Sequence, residues 1–227
     1  MNTTDDAAHS CATLLLLGLV GPLQSWSLSA PYRERTTHII PTKSGVIGIL
    51  SAAFGHSRDA DLRDLAELRL HIRIDRPGRK LRDFQVAQSA LRANGKVDGN
   101  TVITRREYLA DAAFLAALEG SASLLNDVRS ALQNPVYPIY LGSRCCLPSR
   151  PLVISHPPSN ADILQLFALI PDLSGQGGQK RAYLEDPKGS WMVRDAPGRS
   201  AAVPGRFREA QWFERYLRPV SIDVGAS

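Results

Sequence analysis

The first clear pattern along the chain is an unbroken apolar run, Thr13 to Val20 (TLLLLGLV). It is far too short to span a bilayer and has the length of a strand buried on both faces. Residues 1–11 precede it as a loose leader. They carry Asp5 and Asp6 but no Lys or Arg, the wrong sign for the start of a secretory signal. Gly21 to Pro41 is turn-rich. Thr42 or Ser44 then offers a helix N-cap, and Gly45 to Phe54 predicts a short buried helix ending near Gly55. Asp61 to Glu67 predicts a second helix. Leu68 to Ile74 alternates apolar and polar residues, the signature of a half-buried strand.

Asn94 to Asn100 is dense in residues that favour hairpin tips, so Leu81–Leu91 and Thr101–Tyr108 become the two arms of a projecting hairpin. Tyr108 to Leu118 reads as a core strand, although its alanines leave helix as the alternative. Ser121 to Leu132 reads as an amphipathic helix capped by Ser121. This order predicts an α+β fold with a ferredoxin-like (RRM-like) βαββαβ palm, its hairpin thumb inserted between the second and third strands. The palm takes residues 12–77 and 107–227, and the thumb residues 78–106. From Asn134 onward Pro and Gly are frequent. A last strand is expected near Leu152 to Ser155, a short helix at Ala161 to Leu169, and a β-hairpin around Asp186 to Trp191.

With 227 residues, 44% hydrophobic and 22% charged, the chain can bury a substantial core, which excludes global disorder. The net charge is +5 and the pI about 9.3. Arg76 to Arg106 holds eight basic residues and two acids, a net of +6, so the rest of the chain sums to −1. Such a concentrated basic segment is the electrostatic footprint of nucleic-acid binding; a solvated loop is the plainer alternative. Cys11, Cys145 and Cys146 form no CxxC pair, so no structural zinc and no disulfide framework is expected. A reducing cytoplasm suits such a chain, and no cofactor or membrane partner is indicated.

The stretch Pro41 to Leu50 (PTKSGVIGIL) superficially resembles a phosphate-binding loop. An ATP loop needs Gly, four residues, then Gly-Lys-Ser/Thr; here Thr42, not Gly, precedes Lys43 and Thr37 stands where the first glycine belongs. The ATP reading fails. A helix start still presents free N–H groups at Ser44, Gly45 and Val46 beside Lys43, which favours an anion. A close helix–sheet contact with no ligand is the alternative.

Several blocks occur in order: Gly21 to Trp26 (GPLQSW), the PTKSGVIGIL stretch, Leu81 to Phe84 (LRDF), Arg106 to Phe114 (REYLADAAF), and Tyr140 to Arg144 (YLGSR) followed by Cys146 to Pro148 and Pro151-Leu152. Together they resemble the CasD family of CRISPR-associated proteins in its type I-E form, over residues 13 to 155, with a weaker echo at Gly205 to Phe213. The resemblance implies a non-catalytic subunit that caps the 5′ handle of the CRISPR RNA within the Cascade complex. It implies the CasC backbone and the CasA large subunit as protein partners, with target DNA met only through the complex. Sequence reading then belongs to guide–target pairing, and this subunit recognises the handle and RNA shape.

By the family's motif, Arg106 contacts the handle; Arg105 stands where an aromatic residue is frequent. Glu107 is expected to pair with a neighbouring arginine. Lys43, Ser44 and Gly45 would hold a handle phosphate. Gln24 is the candidate for base-edge hydrogen bonds and Trp26 for stacking, with packing as the alternative for Trp26. Arg144, in a glycine-flanked loop, is a second phosphate candidate; Arg33, Arg35 and the thumb's Arg82 complete the set. Tyr108 either stacks on a base or joins the core. An endoribonuclease is the alternative function, since related type I-C subunits cleave repeat RNA without metal. Tyr32, His38 and Lys43 would then supply its acid and base.

Overall fold

The structure is a computed structural model that describes residues 13–27, 34–57, 60–89, 94–95, 97, 101–154, 162–197 and 212–225. Its main sheet has six strands: β1 (Thr13–Val20), β4 (Arg69–Arg76), β7 (Ala113–Gly120), β8 (Gly178–Glu185), β9 (Trp191–Pro197) and β10 (Trp212–Val224), in the order β1-β7-β4-β8-β10-β9. All its pairings are antiparallel. A second sheet joins β2 (Leu23–Gln24), β3 (Glu34–Arg35), β5 (Arg79–Ala87) and β6 (Val102–Ala110). The helices are α1 (Lys43–Phe54), α2 (Arg63–Glu67), α3 (Ala122–Gln133) and α4 (Ile163–Leu169). The fold is α+β with a mostly antiparallel sheet and few helices.

The unbroken apolar run of β1 is explained by two cores. Leu15, Leu17 and Leu19 face one side, where they join Val46, Ile47 and Leu50 of α1 and Leu125 and Val128 of α3. Leu14 and Leu16 face the other, with Leu166 and Phe167 of α4 and Ile222 and Val224 of β10. A strand covered on both faces has no polar alternation to show.

The helix starts follow their caps. Thr42 caps α1, its hydroxyl accepting the Gly45 N–H at 3.2 Å, and Ser121 caps α3 through the Leu124 N–H at 3.4 Å. Each such cap is worth about 1 kcal/mol. Gly55 ends α1 in the left-handed region at φ 74°.

Four expectations change. Tyr108 to Leu118 is two strands, broken at Asp111 (φ 57°), whose N–H donates to Pro22 O as the chain passes from the thumb sheet to the main sheet. Of the strand expected near Leu152 to Ser155, the described residues 152–154 form a single bridge, Leu17 to Val153, and Ser155 lies outside the described residues. The Asp186–Trp191 link does not close a hairpin, because β10 lies between β8 and β9. Glu185 and Trp191 both face Leu217 from opposite edges, and Gly189 passes directly against the Leu217 backbone. Finally, β10 is a 13-residue strand that the alternation had not suggested.

Candidate functional site

The thumb arms pair as β5 and β6 from Arg79↔Ala110 to Ala87↔Val102, placing directly opposed residues on the same face. One face carries Arg82 with Glu107, Phe84 with Arg105, and Val86 with Ile103. The other carries Leu81 with Tyr108 and Asp83 with Arg106. The free edge of β6 is met by β2 and, in parallel, by β3, which sets Glu34 beside Arg105 and Arg35 beside Arg106.

Two adjoining clefts result. The first, about 410 Å³, is lined by Glu34, Arg35, Thr36, Arg82, Asp83, Phe84, Arg105, Arg106 and Glu107. The second, about 310 Å³, is walled by Ser25 and Ser27, by Ser44 and Gly45 of α1, by Tyr108, and by Gly142 and Ser143 of the YLGSR loop. Arg35, Arg106 and Glu107 line both.

Two of the four arginines that line the first cleft, Arg82 and Arg105, are ion-paired. Arg105 pairs with Glu34 at 3.0 Å, and Glu107 takes Arg82 at 3.3 Å and Lys80 at 3.5 Å. Burial alone would raise the Glu107 carboxyl; Lys80, a backbone donor at Thr37 and Arg82 outweigh it and hold it below the usual range. Arg106 differs. Among the described residues its Nε–H is buried with no hydrogen-bond partner. A buried donor left unpaired costs about 1–3 kcal/mol, so a ligand that satisfies it gains that much.

Several sequence candidates are placed elsewhere. Gln24 is fully buried: its amide donates to Leu19 O (3.0 Å) and Ala112 O (2.9 Å), and its Oε1 accepts the Trp26 indole N–H (3.0 Å). No edge is left for a base. Trp26 is likewise fully buried, and its ring lies so close to Gly45 that a β-carbon there would sit 2.8 Å from it. The glycine therefore accommodates a core tryptophan.

Lys43 is 6% exposed and its ammonium pairs with Glu185 at 2.7 Å. Its N–H donates to Asp195 Oδ2 at 2.9 Å, so a carboxylate of the protein already occupies the start of α1. The expected phosphate grip by Lys43 is corrected on that ground. Ser44 and Gly45 remain as cleft walls.

Tyr108 is 5% exposed and belongs to the core; its hydroxyl accepts from Cys145 Sγ at 3.5 Å. Arg144 is exposed on the loop whose Gly142 and Ser143 wall the second cleft. Arg33 and Tyr32 lie outside the described residues. His38 stacks on Trp191 with ring centroids 6.0 Å apart, its Nδ1 3.3 Å from Ile40 O, and burial lowers its imidazole below the ordinary value. No cluster of three or more His, Cys, Asp or Glu able to hold a metal occurs among the described residues.

Asp83, Phe84, Glu34, Ser25 and Ser143 are cleft residues that had not been singled out individually. The two-residue period across Arg82, Phe84 and Val86 was the available signal for the thumb face.

A family model described as "CRISPR-associated protein (Cas_Cas5)" matches residues 14–218. The chain belongs to that family. The CRISPR system Cascade subunit CasD of Escherichia coli (strain K12) is 33% identical over 155 residues, 62% of this chain and 69% of that protein. A solved structure described as "Crystal structure of Cas protein" superposes with TM-score 0.71 at 32% identity, covering 94% of this chain and 98% of its own. A chain of a "CRISPR RNA-guided surveillance complex" gives 0.75 at 27% identity, covering 93% and 90%. The matched span includes the lining of both clefts of this Cas5-family chain and the strands β8 and β9. No helix among the described residues is long and apolar enough to cross a membrane.

Proposed function

We propose that this Cas5-family chain is a non-catalytic RNA-binding subunit of a type I-E CRISPR Cascade complex that caps the 5′ handle of the CRISPR RNA. The observation that carries the reading is Arg106, an arginine with an unpaired buried N–H in the wall shared by two clefts. An RNA phosphate or base edge supplies the acceptor it lacks. Arg35 beside it, Arg82 and Arg105 on the thumb, and Arg144 on the flanking loop supply further cations. The relatives named for Cascade and for an RNA-guided complex support this assignment, and with it CasC and CasA as partners, target DNA met through the complex, and a cytoplasmic location. The ferredoxin-like reading of the palm rests on β1, β7 and β4 lying side by side with α1 and α3 packed on one face.

The endoribonuclease alternative loses support from the same geometry, since Lys43 is committed to Glu185 and His38 to Trp191 and Ile40. The deciding experiment measures handle-RNA affinity of the full chain. Arg106→Ala is expected to weaken binding by about 1–3 kcal/mol. Unchanged affinity removes Arg106 from the site. Site-specific cutting of repeat RNA in EDTA, abolished by His38→Ala, would establish the enzyme instead.

A further inference from the structure

The first turn of α1 is held by residues from the far end of the chain. Asp195 on β9 accepts the Lys43 N–H at 2.9 Å and grips the Arg215 guanidinium of β10 at 2.5 and 2.7 Å. Glu185, at the end of β8, takes the Lys43 ammonium at 2.7 Å, Arg215 Nη1 at 3.3 Å and the Leu70 N–H of β4 at 2.9 Å. Arg215 also donates to Leu70 O at 3.3 Å. Four charged side chains thus join α1 to β4, β8, β9 and β10. Asp195 and Arg215 are only 1% and 4% exposed. Buried ionic groups with this many partners have one arrangement and hold it stiffly.

The same turn of α1 gives Ser44 and Gly45 to the second cleft, which Arg106 and Tyr108 also line. A second buried network is unconnected with this. Asp75 holds Arg73 at 2.6 Å, and Asp172 holds Lys180 at 2.8 Å, beside α4. None of these residues lines either cleft.

We infer that Asp195 and Glu185 are positioning residues for RNA binding, setting affinity by fixing the first turn of α1 in the cleft wall. The inference rests on the RNA-binding reading above. Its sign is diagnostic. Removing a carboxylate near the cleft raises the local positive potential and frees a helix-start N–H, and both effects favour a polyanion. Weaker binding after such a change therefore cannot come from the lost charge itself; it reports a displaced wall or a loosened fold, which the controls separate.

The test measures handle-RNA affinity of full-length variants well below their unfolding midpoints. Asp195→Ala and Asp195→Asn make the same change of charge, but asparagine keeps an oxygen to accept the Lys43 N–H. Asp172→Ala and Asp172→Asn serve as controls of equal charge and similar burial. Asp195→Ala is expected to bind about tenfold more weakly, Asp195→Asn to recover most of the loss, and Asp172→Ala to stay within about twofold of wild type. If the alanine variant does not fold, Glu185→Gln replaces it and must weaken binding more than Asp172→Asn does. Wild-type or tighter affinity at Asp195→Ala, or an equal loss at Asp172→Ala, overturns the inference while leaving the RNA-binding reading intact. A wild-type chain that fails to bind handle RNA removes both.

Discussion

The Ser25 carbonyl stands so close to Gly142 that a β-carbon built on the glycine would lie 1.7 Å from the oxygen. Gly142 also sits at φ 95°. The contact fixes the YLGSR loop against the segment after β2, where Ser25 N–H donates to Leu141 O at 2.9 Å. Backbone, not a side chain, is in the way, so no rotamer relieves it. Gly142→Ala is expected to cost at least about 2 kcal/mol in urea unfolding. Gly178→Ala is the comparison, since Gly178 also has positive φ (85°) but meets nothing within 4 Å. It should cost about 1 kcal/mol, from the backbone conformation alone.

Lys43 and Glu185 should respond unequally to substitution. Glu185 retains Arg215 and the Leu70 N–H if Lys43 is lost, whereas Lys43 has no second carboxylate partner for its ammonium among the described residues if Glu185 is lost. Both side chains are nearly buried, 7% and 12% exposed, so an uncompensated charge is expensive. Glu185→Met is expected to cost about 3–5 kcal/mol and Lys43→Met distinctly less. Equilibrium unfolding of the two variants checks the order. Because Lys43 faces Glu185, Lys43→Met should also leave the salt dependence of RNA binding unchanged.

The parts of this fold that were legible in the sequence are those settled by near neighbours. Thr42 and Ser121 cap their helices through N–H groups three residues on. The alternation of β4 marked a strand, but not the half-buried one expected: His71, Arg73 and Asp75 are buried as fully as Leu70 and Ile72, because Glu119, each other and α4 carbonyls pair them. What was misread depends on distant partners. Gln24 looked free to read a base, and stacking was one of two readings of Trp26; yet Gln24 Oε1 accepts the Trp26 indole N–H, and the carbonyls of Leu19 and Ala112 take the Gln24 amide. Lys43 looked like a phosphate ligand because its acid lies 142 residues away. β10 escaped notice because Arg215, a charge, occupies an inward position, and only Asp195 and Glu185 make that position tolerable. In the thumb, strand alternation exposed the basic and aromatic face, but the acids that neutralise it come from β3 and β6.

Acid should loosen the corner beyond α4. Burial alone would raise the Asp172 carboxyl, but Lys180 and the donors of Ser174 and Gly177 overcome it and hold it far below the usual range. The folded value lies below the unfolded one, near 3.9, so the carboxylate binds fewer protons when folded. Its contribution is therefore complete above about pH 5 and is lost progressively as the pH falls toward the folded value. Glu119, lowered first by the hydrogen bond from His71, changes in the same direction. Asp172→Asn should show a smaller loss of stability between pH 6 and pH 3 than the wild-type chain. Urea midpoints across that range test it; parallel curves for the two proteins would contradict it.

Cys145 and Cys146 are adjacent but chemically unlike. Cys146 is fully buried, and burial together with Cys145 pushes its thiol up to about 12. Cys145 is exposed; burial opposes ionisation, but hydrogen bonding with Tyr108, Ser143 and Cys146 brings its thiol below the ordinary value. In a Cys11→Ser chain, iodoacetamide at pH 8 should modify Cys145 alone until the protein is unfolded. Handle RNA should slow that reaction, because the Cys145 loop walls the second cleft. Mass spectrometry of the labelled chain reads both outcomes.

Glu34 is expected to compete with RNA for Arg105. Their pair is exposed on both sides, 66% and 60%, so it stabilises the fold little, yet any phosphate taken by Arg105 must displace it. Glu34→Gln is therefore expected to tighten handle binding about two- to fivefold at low salt, with the gain shrinking as salt screens the pair. If three or four phosphates are gripped, the logarithm of the wild-type association constant should fall against the logarithm of salt concentration with a slope of about −2 to −3. Arg105→Ala should lower that slope by about 0.7, the share of one phosphate on a single strand. A wild-type slope near zero, or weaker binding by Glu34→Gln, would mean that the thumb face does not meet the RNA backbone.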